Sequence, residues 1–159
     1  MATAHERRVG VAMDFSEGSK AALKWTVENV VRGGDYLILF MVVKTELEGK
    51  SQLWEQGGSP LIPLCDLGEG QILKGYGVTP DAEVVTLLEQ VAREKNIVVV
   101  GKVYYGDPRE KLCDAATDFP LSCMVVGSRG LGPLKRAILG SVSNYVVNTA
   151  QCPVTVVKH

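Results

Sequence analysis

The chain has 159 residues, 46% apolar and 22% charged, with seventeen basic against eighteen acidic residues and a formal net charge of −1. That size and composition suit one globular domain and exclude a disordered chain, and the missing basic excess argues against nucleic acid as a partner. No apolar run approaches the ~20 residues that cross a bilayer, and no apolar segment follows the polar start Met1 to Arg8, so neither a membrane span nor a secretory signal is expected and the reading is cytoplasmic.

Arg8-Val-Gly-Val-Ala-Met-Asp14 reads as a strand ending in a carboxylate. Ser16 is a candidate N-cap, and Leu23, Val27, Val30 and Val31 fall on one face of a following helix. Arg32-Gly33-Gly34-Asp35 supplies a last-turn cation and a glycine stop. Tyr36 to Val43 is a second strand. Residues 44–78 are rich in Gly and Pro and read as a structured excursion, with one short helix near 66–74. Thr79-Pro80-Asp81 predicts a capped helix start with Pro at the first position, and Val84, Leu88, Val91 and Ala92 form its stripe. Asn96 to Tyr105 is a third strand. Asp107-Pro108-Arg109-Glu110 resembles a capping box before a helix bearing Leu112, Ala115, Ala116 and Phe119. Ser122 to Val126, a helix near 141–149 and Pro153 to Val157 complete the order. The alternation predicts an α/β fold: one domain over 1–159, an open parallel sheet and helices on both faces.

The cysteines Cys65, Cys113, Cys123 and Cys152 form no C-x-x-C pair and have no histidine at metal-ligand spacing. They read as small buried apolar groups, with neither a disulfide framework nor a metal site expected. His5 and His159 lie near opposite ends of the chain, a weak placement for a catalytic base.

Chemistry concentrates after the fourth strand, in a segment running from Gly127 through Gly130 to Gly140-Ser141 with spacing G-x2-G-x9-G-S. The first two glycines allow a sharp turn and bring backbone N–H groups close to a ligand. Gly140 and Ser141 open the last helix, where unpaired N–H groups suit an anion such as phosphate. Ligands of open α/β sheets settle where strand order reverses, which places Asp14 across from this loop as an acceptor for ribose or base. Each residue also has a plainer reading: Ser141 or Asp14 as a helix cap, Gly127 and Gly130 as a turn, Lys135 and Arg136 as a solvated face. Neither G-x-x-x-x-G-K-[ST] nor a G-x-G-x-x-G after the first strand occurs, which argues against a P-loop NTPase and a dinucleotide dehydrogenase.

Val11-Ala-Met-Asp14-Phe-Ser16, the spaced glycine segment and Cys152-Pro-Val-Thr-Val-Val157 together resemble the universal stress protein family, along nearly the whole chain. Trp54 with Gly58 to Leu64, and Tyr105-Gly-Asp-Pro-Arg-Glu110, look like its plant members. The resemblance implies a five-stranded sheet of order 3-2-1-4-5 (adenine nucleotide alpha hydrolase-like). It further implies an ATP or AMP site, with Mg²⁺ as a companion of ATP, and a homodimer through the C-terminal strand. By position, Asp14 would hold ribose, Ala12 would line the base pocket, and Met41 would meet adenine through its backbone. Val126, Gly127 and Gly130 would wrap ribose and phosphates, and Gly140, Ser141, Val142 and Ser143 would bind phosphate. Arg129, at an x position of the motif, would add charge. The implied function is a nucleotide-responsive regulatory module in a stress response. The alternatives are a slow ATP hydrolase, with Asp14 as its one candidate acid or base, and a nucleotide-independent holdase using apolar surface in 44–78.

Overall fold

The computed structural model describes residues 6–44, 57–128 and 140–158, which form twelve helices and strands. In chain order they are β1 (Arg8–Ala12), α1 (Glu17–Asn29), β2 (Tyr36–Val43), β3 (Ile62–Pro63), α2 (Leu64–Leu67) and α3 (Gly70–Gly75). There follow α4 (Ala82–Lys95), β4 (Val98–Tyr105), α5 (Pro108–Asp118), β5 (Cys123–Gly127), α6 (Ser141–Thr149) and β6 (Val154–Val157).

The sheet corrects the expected five strands and the order 3-2-1-4-5. Among the described residues it has six strands in the order β3-β4-β2-β1-β5-β6. All pairings are parallel except β3 on β4, where Ile62 faces Gly101 and Pro63 faces Val100. The added strand is two residues long and ends in proline, which has no N–H to donate and so belongs at an edge. No alternating pattern forms over two residues, which is why the sequence does not announce it.

β2 is a continuous apolar run because both its faces are covered. Leu37, Leu39 and Met41 join one buried cluster with Leu23 and Val27 of α1 and Val84, Leu88 and Val91 of α4. Ile38 and Phe40 join the other, with Leu112, Ala115 and Ala116 of α5 and Val146 of α6. The excursion adds Ile62, Leu67, Leu73 and Val78 to the first cluster, so its described part is core. The single helix expected near 66–74 is instead α2 and α3, separated at Gly68 and Glu69.

Three boundaries also differ. Asp81, not Thr79, caps α4: its Oδ1 accepts the Val84 N–H at 3.1 Å, and Pro80 lies outside the helix. A left-handed turn at Gly77 (φ +86°) precedes this start. α1 ends at Asn29 with Val30 as C-cap, ahead of Arg32 and the glycines. β4 begins at Val98 because Asn96 is the left-handed C-cap of α4. The cysteines are all free, but Cys65 is exposed and the other three are half-buried. Burial raises the thiol pKa of Cys113, Cys123 and Cys152, which lowers their reactivity at neutral pH. Trp25 packs partly against the first cluster. Among the described residues, no helix is long and apolar enough to cross a membrane.

Two core tyrosines make stability sensitive to alkali. Tyr104 is fully buried and its hydroxyl donates to Asp118 Oδ2 at 2.9 Å. Burial, first, and the Asp118 carboxylate push its pKa well above the ordinary phenol value, and burial pushes Tyr105 up to about 12. Both groups therefore hold their protons longer in the folded state. Their stabilisation is complete below about pH 10 and is lost as pH rises towards the folded values, at up to about 1.4 kcal/mol per pH unit per group. Urea titrations from pH 9 to 12 should show this decline, and Tyr104→Phe should make it shallower.

Candidate functional site

Three chain turns meet at the carboxyl ends of β1, β2 and β5. The first follows β1, where Asp14 Oδ1 accepts the Ser16 N–H at 2.9 Å and the Ser16 hydroxyl as well. This is an Asx turn. Phe15 inside it takes φ +64°, a left-handed value uncommon for a bulky residue and a form of stored strain. The bend lets Ser16 cap α1 by accepting the Ser19 N–H at 3.2 Å, while Met13 N–H still bonds Phe40 O at 2.8 Å. Asp14 therefore serves as a turn acceptor and also stands exposed at the mouth of the cleft.

The second is the end of β5. A Cβ built on Gly127 would lie 2.6 Å from Gly18 O and 2.8 Å from Gly18 C. The close approach of the first turn of α1 to the strand therefore requires a glycine at 127, a packing reason that the motif spacing does not show.

The third is the start of α6. Ser16, Asp81 and Asp107 cap α1, α4 and α5 with side-chain oxygens, whereas α2, α3 and α6 have no side-chain cap among the described residues, and Gly140 stands at the N-cap of α6. The N–H groups of Ser141, Val142 and Ser143 belong to the first turn, where a helix offers no carbonyl partner of its own. The Ser143 side chain is buried and its hydroxyl donates to Gly140 O at 3.0 Å, so an anion here would be met by main-chain amides first. Ser141 is exposed at the first helical position.

Two cavities adjoin at this edge. The smaller, about 90 Å³, lies between the sheet and the starts of α5 and α6. Ala12, Asp14, Val126, Gly127, Gly140, Val142 and Ser143, all expected site residues, line it. Phe40, Val42 and Leu112 add apolar lining. The larger, about 380 Å³, is floored by Met41, Val42 and Val43 and walled by Asp14 and Phe15 on one side and Gly77–Asp81 on the other. Met13, Asp14 and Val42 line both. Met41 thus sits with the larger cavity, and Ser141 lines neither. Arg129, Gly130, Lys135, Arg136, Trp54, His5 and His159 lie outside the described residues.

Sequence reasoning missed Ser19, Phe40 and Lys44, which also line the smaller cavity. Lys44 is exposed and close enough to Asp107 to help hold its carboxyl below the ordinary range, although Arg109 dominates that effect. It brings a cation to the cleft. Its position at the end of β2 was the available signal.

A family model described as the universal stress protein family matches residues 6–158. The chain belongs to the universal stress protein family. Its relatives include Universal stress protein PHOS32 of Arabidopsis thaliana, 31% identical over 96% of this chain and 65% of that protein. The chain therefore spans slightly less than two thirds of that relative's length. Among solved structures it resembles an Arabidopsis thaliana universal stress protein family protein with AMP bound, at TM-score 0.60 and 23% identity over 96% of this chain and 92% of that one. It also resembles a universal stress protein in complex with cAMP, at TM-score 0.57 and 18% identity over 95% of each chain. At these identities the structural likeness establishes the α/β universal stress protein fold, with its largely parallel sheet.

Proposed function

We propose that this universal stress protein binds AMP or ATP across the two adjoining cavities and acts as a nucleotide-responsive regulatory module. The observation that carries this reading is the uncapped start of α6, facing the same cleft as Asp14 at the carboxyl edge of the sheet. Phosphate meets the amides of Ser141, Val142 and Ser143, ribose meets Asp14, and the base enters the larger cavity over Met41. The larger cavity lies within the ~300–1,000 Å³ range of small-molecule sites, and its floor is apolar, as a purine face requires. Lys44 supplies a counter-charge for phosphate. With ATP, Mg²⁺ would come with the nucleotide, and phosphate oxygens would supply most of its ligands. The AMP and cAMP in the two structural relatives support an adenine nucleotide as the ligand class.

The same proposal includes a homodimer through β6. That strand is the sheet edge, and its four residues are only half-buried. Exposed Tyr145 and Val147 on α6 lie in the helix that leads into it. An unpaired edge with apolar neighbours favours a covering partner.

Calorimetric titration tests the nucleotide reading. AMP or ATP should give saturable heat at one site per chain, and inorganic phosphate at the same concentration should give much less. No heat with either nucleotide would overturn it.

A further inference from the structure

The larger cavity is bounded on one side by the segment Gly77–Asp81, and that wall is tethered at both ends. At its start the Tyr105 hydroxyl donates to Tyr76 O at 2.7 Å. Gly77 then takes its left-handed φ of +86°, and the Gly77 and Val78 amides return to Lys74 O and Leu73 O, both at 3.0 Å. At its end Asp81 Oδ2 accepts from Lys20 Nζ at 2.9 Å, and Glu83 Oε2 lies 3.4 Å from the same ammonium. Lys20 stands in the first turn of α1, on the element that continues from the Asp14–Phe15 wall. Among the ion pairs of the described residues, those of Lys20 are the ones that join α1 to α4. Both side chains of the main pair are shielded, at 19% and 23% exposure. The hydrogen bond between them, as the leading cause, raises the Lys20 pKa and lowers that of Asp81, so both are ionised at neutral pH.

We propose that Lys20 is a positioning residue for the base of the bound nucleotide: its bridge to Asp81 and Glu83 holds the Gly77–Asp81 wall against the Asp14 turn and limits the rate at which the base leaves. This rests on the adenine-nucleotide reading of the site. The bridge ties the end of the Gly77–Asp81 wall to the helix that follows the Asp14–Phe15 wall, so moving the walls apart stretches it. The opposite end turns at a glycine that tolerates backbone change. Nothing in the bridge touches the phosphate side of the cleft, so its effect falls on nucleoside and nucleotide alike.

Two variants test this. Lys20→Met keeps the aliphatic stem and removes the charge. Asp81→Asn keeps an acceptor for the Val84 N–H, since Asn caps helices as well as Asp does. Stopped-flow measurement should show AMP and adenosine each dissociating roughly tenfold faster from either variant, and from the double variant no faster than from the worse single one, because the groups act as one pair. Dissociation within twofold of wild type in both variants would overturn the proposal, even with a lowered Tm, which a merely structural pair would give. A change confined to AMP would also overturn it, because Lys20 would then be acting on phosphate. Hydrogen exchange of the ligand-free protein gives a readout independent of nucleotide: the Val78 amide should exchange faster in Lys20→Met. Unchanged exchange there would dismiss the tether. Faster exchange in a protein that binds no AMP would retain the tether, remove the nucleotide reading, and with it the role of Lys20 towards a base.

Discussion

A Gly127→Val variant should be less stable than wild type by about 3 kcal/mol, the upper part of the range for overpacked sites, which is roughly 6–12 °C in Tm for a domain of this size. The cause is backbone against backbone. The new Cβ would sit 2.6 Å from Gly18 O and 3.3 Å from Ser19 N, with two further methyl groups beyond it. A flexible side chain could rotate away, but the first turn of α1 cannot shift alone. It is tied to the Asp14 turn through the Ser16 cap, and Ser19 Oγ donates to Ser16 O at 3.0 Å. A Cβ on Gly18 would in turn come 3.2 Å from Ser128 O, so both chains meet closely here. Lost nucleotide binding in this variant would therefore follow from a displaced helix. Urea denaturation checks the point. An unchanged midpoint with binding abolished would restore the idea that Gly127 keeps space for a ligand.

Asp14→Ala should weaken AMP binding by about tenfold to hundredfold, corresponding to the ~1.5–3 kcal/mol of hydrogen bonds made to a charged group. Adenosine should lose a similar factor, because the carboxylate acts on ribose and not on phosphate. The substitution also removes the acceptor for the Ser16 N–H, at a cost of about 1 kcal/mol in stability, typical of a lost cap. Asp14→Asn separates the two effects. It keeps a turn acceptor and loses the charge, so its stability should lie near wild type while its affinity falls between the other two proteins. Titration calorimetry with AMP and adenosine measures both. Wild-type affinity in a folded Asp14→Ala protein would remove the carboxylate from the site.

Much of the architecture was readable from periodicity. The stripes expected for α1 and α4 bury Leu23, Val27, Val84, Leu88 and Val91, with Ala92 partly buried and Val30 and Val31 past the end of α1, and the unbroken apolar run of β2 signals a strand covered on both faces. Asp14, Ala12, Val126, Gly140, Val142 and Ser143 line one cleft, because the carboxyl ends of β1 and β5 lie side by side in the sheet, while Ser141 stays outside it. Legibility ends where the cause is tertiary. β3 is two residues whose strand state depends on the β4 edge beside it. The break between α2 and α3 interrupts a stretch whose apolar residues are still drawn into the core. Thr79 and Asp81 are both good caps in sequence, and the fold uses the second. Gly127 looks like a phosphate-loop glycine, yet its constraint comes from a helix over a hundred residues earlier. Lys20 and Lys44 belong to no motif in the sequence, and the fold brings one to Asp81 and the other to the cleft.

The most direct measurement is an amide chemical-shift titration of the isotope-labelled chain with AMP. The account predicts saturable shifts at Ser141, Val142 and Ser143 from the phosphate, at Asp14 from the ribose, and at Met41 and Val43 from the base, all with one affinity. Saturable shifts elsewhere with the amides of 141–143 unmoved would contradict it.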